Sequence, residues 1–245
     1  MKLTTLVSLM ALCLSPVNGQ DATTEPGYDT CFTTLPSNST FSFGTHYAVL
    51  NLDLITGLVG AINTTASGQL FISSIATWIA AVHAQSPPPL SIFTRIYFSN
   101  AYRPEIGPTT PFGITVASLG NATSESPQSQ LYPSFVPSEM DVVLQKSRYY
   151  AGAGNGLEEI LSSQRIDTVI LSGIRTSGVI LSTAYRLFDL NYNVYVITNN
   201  TIETPSDSPG IDAAIKQGIL PKFPANVITL EQAIAALNRS GPAVY

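Results

Sequence analysis

Three short stretches bring together the residues most able to do chemistry. The run HYAVLNLD (46–53) is mostly β-forming and ends in Asp53. The run DVVLQ (141–145) is followed at once by Lys146. The run DTVILSG (167–173) is followed by Ile174 and then Arg175, Thr176, Ser177, Gly178 and Val179. A carboxyl group can give or take a proton. An ammonium beside it can stabilise its charge and orient it. A turn of small and hydroxyl residues ahead of a helix can present backbone N–H groups to a ligand. An aspartate at the end of an apolar strand is costly to bury without a partner, and this chain has few charges to offer one. Lys146 is the expected partner.

The elements around these stretches have to place them together. GQLFISSIATWIAAVHA (68–84) carries Phe71, Ile75, Trp78, Ile79 and Val82 at helical spacing, and Pro87-Pro88-Pro89 stops it. SIFTRIYFS (91–99) reads as a strand, and NVYVIT (193–198) as another. Residues 155–164, 178–190, 211–218 and 230–238 read as helices. Residues 100–138 are rich in Pro, Gly, Ser and Thr and read as a long excursion over a site. Strands alternating with helices predict a three-layer α/β/α fold with a mainly parallel sheet. In such sheets ligands bind at the carboxyl ends of the strands, where Asp53, Lys146 and residues 174–179 fall.

These residues also carry a resemblance. AVLNLD (48–53), VVLQKSRYYAGAGNGLEEIL (142–161) and IDTVILSGIRTSGVILSTAYRLFDLNYNVYVITN (166–199) resemble the isochorismatase-like hydrolases, a group that includes nicotinamidases and N-carbamoylsarcosine amidases. The resemblance implies that Asp53 is the acid–base residue and Lys146 its cationic partner. The turn residues Arg175, Thr176, Ser177, Gly178 and Val179 are the candidate contacts for a small-molecule substrate. Arg175 either meets a substrate carboxylate or faces solvent, and Thr176 and Ser177 either hydrogen-bond a ligand or cap the helix, the more common use of such residues. The resemblance places Val179 where the amidases of the family carry a nucleophilic cysteine, and valine cannot attack a carbonyl. True isochorismatases also lack that cysteine and hydrolyse a vinyl ether, which needs a proton on carbon and then water. They usually carry Gln where this chain has Ile55, and Gly where it has Val179. The reading is therefore an acid-catalysed hydrolase. The alternative is a pseudoenzyme that binds or acts as an effector.

Other features bound the answer. The chain has 245 residues, 44% of them hydrophobic, 11% charged, with a net charge of −5. That balance fits one well-filled core and no nucleic-acid partner. Lys2, the apolar run that follows it, Pro16 and Val17-Asn18-Gly19 read as a signal peptide over 1–19. Residues 20–45 read as an N-terminal arm and 46–245 as the isochorismatase-like domain. Sequons at Asn38, Asn63, Asn121, Asn199 and Asn238 point to a secreted glycoprotein in which at least one site stays unused. No later stretch is long enough to span a membrane. Cys13 leaves with the signal peptide, so Cys31 has no intrachain partner.

His46 and His83 read as structural, with no metal site and no cofactor. Arg148 is expected to pack its stem on Tyr149 or Tyr150. AGAGNG (151–156) reads as a flexible turn, since it lacks the Lys-Ser/Thr ending of a phosphate-binding loop. A homo-oligomer is left open.

Overall fold

The computed structural model describes residues 33–204 and 210–244. The expected signal peptide, residues 20–32 of the expected N-terminal arm, and with them Cys31, lie outside the described residues.

Six parallel strands form one sheet: β1 (Tyr47–Leu52), β2 (Leu90–Ile96), β3 (Val142–Lys146), β4 (Thr168–Ile174), β5 (Asn193–Ile202) and β6 (Asn226–Ile228). Their order across the sheet is β3-β2-β1-β4-β5-β6. Every residue of β1 and of β4 is buried. Central strands of a sheet covered on both faces need apolar residues on both sides, so both read as near-continuous hydrophobic runs.

Among the described residues, seven α-helical segments accompany the sheet: α1 (Thr56–Val59), α2 (Ala66–His83), α3 (Pro111–Thr115), α4 (Leu157–Ser163), α5 (Leu181–Asp189), α6 (Ile211–Ala213) and α7 (Leu230–Ser240). One face of the sheet shares a core with α4 and α5, through residues such as Leu50, Leu52, Leu171, Leu161, Ala184 and Leu187. On the other face α2 and α7 contribute Trp78, Val82, Ala233 and Leu237 beside Val49, Ile170 and Ile197. Phe71, Ile75, Trp78, Ile79 and Val82, the stripe at helical spacing, are all buried. Helix α2 opens on the Thr65 side chain, which accepts from the Gly68 amide. Helix α7 opens on a capping box between Thr229 and Gln232.

The three-layer expectation holds, and the departures are local. β6 was not expected, and it adds an edge to the sheet. β4 runs one residue past the expected run, and β5 four past its own. Both extensions carry the chain toward the carboxyl-end rim. The helix expected at 178–190 begins earlier, as a wide turn of π type over Thr176–Ile180 that leads into α5. The helix expected at 211–218 is α6 followed by a second wide turn, Ala214–Ile219. Among the described residues no helix is long and apolar enough to cross a membrane.

Residues 97–141 form an excursion fastened beside Asp53. The Thr56 amide donates to the Gln130 carbonyl at 2.8 Å, and the Tyr132 amide to the Leu54 carbonyl at 2.8 Å. Ile55 and Leu131 form an isolated antiparallel bridge. Arg95 of β2 reaches out to the Ser129 and Ser124 carbonyls, both at 2.7 Å.

Candidate active site

Asp53 is the first residue past β1, and its φ of 58° puts it in the left-handed region. Aspartate tolerates that region better than most side chains. The turn takes the chain off the sheet and lets the Asp53 amide donate to both the carbonyl and the hydroxyl of Thr94 in β2, at 3.2 and 3.1 Å. Thr94 Oγ1 donates back to Asp53 Oδ1 at 2.8 Å. Lys146 ends β3, with Nζ at 2.6 Å from Asp53 Oδ2. The same Nζ donates to the carbonyls of Arg148 at 2.9 Å and Tyr149 at 2.8 Å. All three ammonium protons thus have acceptors inside the protein.

Only 4% of Asp53 and 1% of Lys146 is exposed. Burial pushes the Asp53 carboxyl above its ordinary value, against the opposing pull of Lys146 and Thr94. Burial pushes the Lys146 ammonium below its ordinary value, against the opposing pull of Asp53. Both directions favour the neutral forms of the pair.

The third stretch meets the pair through Tyr149. The Tyr149 carbonyl accepts a hydrogen bond from Lys146, and its hydroxyl accepts from Arg175 Nη2 at 2.9 Å. The Arg175 guanidinium lies 5.7 Å from the Tyr149 ring centroid. A Cβ on Gly178 would stand 3.0 Å from Tyr149 Cε1, so a larger residue there would make the ring give by a few tenths of an ångström. Phe112 of α3 packs edge-on against Tyr149, with ring centroids 5.4 Å apart. The excursion therefore reaches the site at Phe112.

Each expected site residue has a definite place. Arg175 is half-buried, donates to the Thr204 carbonyl at 3.0 Å, and follows a cis peptide bond after Ile174. Ser177 is exposed, and its amide donates to Glu203 Oε2 at 2.7 Å. Thr176 is fully buried, and its hydroxyl donates to Asp212 Oδ1 at 2.5 Å. Val179 is 1% exposed and belongs to the core cluster that includes Ala151, Ile180 and Ala184. Arg148 packs its guanidinium over Phe112, 5.2 Å from the ring centroid, rather than over Tyr149 or Tyr150. Its hydrogen bond to the Glu105 carbonyl at 2.8 Å draws it toward the excursion.

His83 pairs with Asp141 at 2.8 Å and ties α2 to the end of the excursion. Among the described residues no group of three or more His, Cys, Asp or Glu is arranged to hold a metal ion. In the glycine-rich turn, Asn155 donates to the Gln145 and Ala151 carbonyls, and its Oδ1 accepts from the Leu157 amide, which starts α4.

Three participants did not stand out in the sequence. Thr94 is a threonine in a strand, a common β-former, and only its register opposite Leu52 places it at Asp53. Asp212 and Lys216 sit in a stretch whose spacing says only helix. Two surface clefts, of about 220 and 430 Å³, include none of these groups. The first is lined by residues at the amino ends of β5 and β6, such as Asn193 and Asn226, the end of the sheet away from Asp53.

Residues 47–232 match the isochorismatase domain. The chain belongs to the isochorismatase family. No curated protein sequence matches it significantly. Among solved structures, the isochorismatase fold seen here is similar to a cysteine hydrolase from Pseudomonas syringae pv. phaseolicola 1448A. That pair has a TM-score of 0.68 and 16% identity, over 80% of this chain and 94% of the other. An isochorismatase family protein from Burkholderia thailandensis gives a TM-score of 0.65 at 23% identity, over 82% and 100%. The N-carbamoylsarcosine amidase of Thermoplasma acidophilum gives 0.59 at 17%, over 76% and 96%. Identities this low speak to the fold alone. The segment matching the isochorismatase domain contains no cysteine, since the chain has cysteines only at 13 and 31.

Proposed function

We propose that this isochorismatase family member is a secreted hydrolase that cleaves a small molecule by proton transfer from Asp53, without a cysteine nucleophile. The observation that supports this most is the buried Asp53–Lys146 pair, in which burial pushes the carboxyl toward its protonated form. A substrate suited to such a group is a vinyl ether. The Asp53 hydroxyl gives its proton to the vinyl carbon, leaving an oxocarbenium ion. Water adds to the cationic carbon and returns a proton to the Asp53 carboxylate. The hemiketal then collapses to a carbonyl compound and an alcohol, so no group remains on the protein. Lys146 orients the carboxyl and balances its charge between steps.

Arg175 is the proposed contact for an anionic group on the substrate. Its guanidinium is bonded to a carbonyl and a phenol, neither of which neutralises it. The exposed Ser177 and the Gly178 backbone complete that rim, and Val179 narrows the space behind it.

A second reading is a binding or effector protein without turnover. It is favoured by the closure of the site: the three Lys146 protons are spent on internal acceptors and Val179 is packed into the core. Turnover of a panel of vinyl ethers, amides and esters by the purified protein separates the two. The hydrolase reading expects vinyl-ether cleavage. A panel with no turned-over member supports the second reading instead.

A further inference from the structure

A second buried ion pair, Asp212 with Lys216, has no part in the reaction proposed above. Its construction repeats that of the first. At the first, a threonine hydroxyl (Thr94) donates to one carboxylate oxygen at 2.8 Å, and a lysine lies 2.6 Å from the other. At the second, the Thr176 hydroxyl donates to Asp212 Oδ1 at 2.5 Å, and Lys216 Nζ lies 2.6 Å from Oδ2. Lys146 also donates to two backbone carbonyls, and Lys216 does the same, to Thr198 and Thr201 of β5, both at 3.0 Å. All of these side chains are buried.

What the second pair ties together gives it a purpose beyond filling the core. Thr176 belongs to the turn that holds Arg175, Ser177 and Val179. Thr198 and Thr201 belong to the end of β5. Just past that end, the Glu203 carboxylate accepts from the Ser177 amide and the Thr204 carbonyl accepts from Arg175. The pair therefore grips the turn and the chain that flanks it at once. On the other side of the turn stands Tyr149, which also bonds Lys146.

We infer that Asp212, held by Lys216, is a positioning residue that acts through the Thr176 hydroxyl to fix the turn Arg175–Val179 beside the Asp53–Lys146 pair. Thr176 then serves the site by holding its rim in place rather than by touching a ligand. The inference rests on the reading of that turn as the rim of the reaction site.

The experiment measures amide hydrogen exchange of the full-length protein, wild type against Thr176→Val, Thr176→Ser and the double variant Asp212→Leu/Lys216→Met. Thr176→Val keeps the volume and removes the hydroxyl. The double variant removes both charges together, which core packing tolerates better than losing one. Exchange of the amides of residues 176–180 should rise about tenfold or more in Thr176→Val and in the double variant, with β1 and β4 unchanged, and Thr176→Ser should return to wild type. Unchanged exchange at 176–180, a uniform rise across the sheet, or failure of both test variants to fold overturns the inference.

Exchange needs no substrate, so an absence of turnover, which would sink the hydrolase reading, leaves this result readable. Where the panel yields a substrate, Thr176→Val should lower kcat/KM, with a raised KM as the Arg175 contact loosens, and Thr176→Ser should restore it. A wild-type kcat/KM in Thr176→Val overturns the positioning role.

Discussion

Lys146 Nζ stands 2.6 Å from Asp53 Oδ2 although the strands that end at these residues are not neighbours. β2 lies between β1 and β3, and its Thr94 supplies the hydroxyl that holds the other carboxylate oxygen. Three strands thus converge on one carboxyl group at the end of the sheet where ligands of such folds bind.

Lys146 lowers the affinity of Asp53 for its proton, so removing it should do the opposite. In Lys146→Met the falling limb of activity with rising pH is expected to move to higher pH than in wild type. The same variant leaves a buried carboxyl without its counter-charge, a loss of about 3–5 kcal/mol when the group is ionised. Urea unfolding at neutral pH should show that loss, and it should shrink as the pH is lowered and the carboxyl takes up a proton. A pH profile identical to wild type would remove Lys146 from the site's electrostatics.

Gly173 pairs with Leu52 and has a φ of 149°. A Cβ there would lie 2.2 Å from the Leu52 carbonyl oxygen. Gly173→Ala should therefore push β4 away from β1 next to Asp53 and cost on the order of 2–4 kcal/mol. Thermal unfolding checks this, and an unchanged midpoint would show that the two strands can part without penalty.

The sheet was legible because its central strands β1 and β4 are buried on both faces and read as apolar runs, with Asp53 and Lys146 as polar full stops after β1 and at the end of edge strand β3. β6 was not, because Asn226–Ile228 is too short for alternation or for a run to register. Residues 174–179 read as a turn ahead of a helix from 178, and the π-type winding of Thr176–Ile180 does not show in the sequence, since hydrogen-bond spacing inside a helix leaves no mark on apolar periodicity. The Asp212–Lys216 pair has the i, i+4 spacing of an ordinary surface ion pair, and only tertiary packing buries it. Thr94 was hidden for the same reason: its role comes from its register against Leu52.

Any activity should survive thiol alkylation, because no cysteine lies within residues 47–232. Iodoacetamide should leave the rate unchanged. Inactivation that disappears in Cys31→Ser would place a thiol in the chemistry.

The sequons differ in what the fold offers a glycan. Asn38, Asn121 and Asn238 are exposed. Asn199 lies within β5, and its Oδ1 accepts from the Leu230 amide at 2.9 Å. Glycopeptide mass spectrometry of protein secreted from a eukaryotic host should find Asn199 bare and glycans at Asn38 or Asn121. Occupancy at Asn199 would mean that glycosylation precedes and tolerates the loss of this bond.

In the proposed reaction Asp53 delivers the proton. Burial raises its pKa above the ordinary 3.8, so the folded state favours the protonated form. The stability this confers is complete below the unfolded value and is lost as pH rises through the folded one, and general-acid activity should fall over the same rise. The most direct measurement is the rate of vinyl-ether hydrolysis against pH for wild type and for folded Asp53→Asn. The wild-type rate should fall with rising pH around a midpoint above the ordinary 3.8, and the variant should lose about 10²–10⁴-fold. A folded Asp53→Asn protein that keeps the wild-type rate would contradict this role of Asp53.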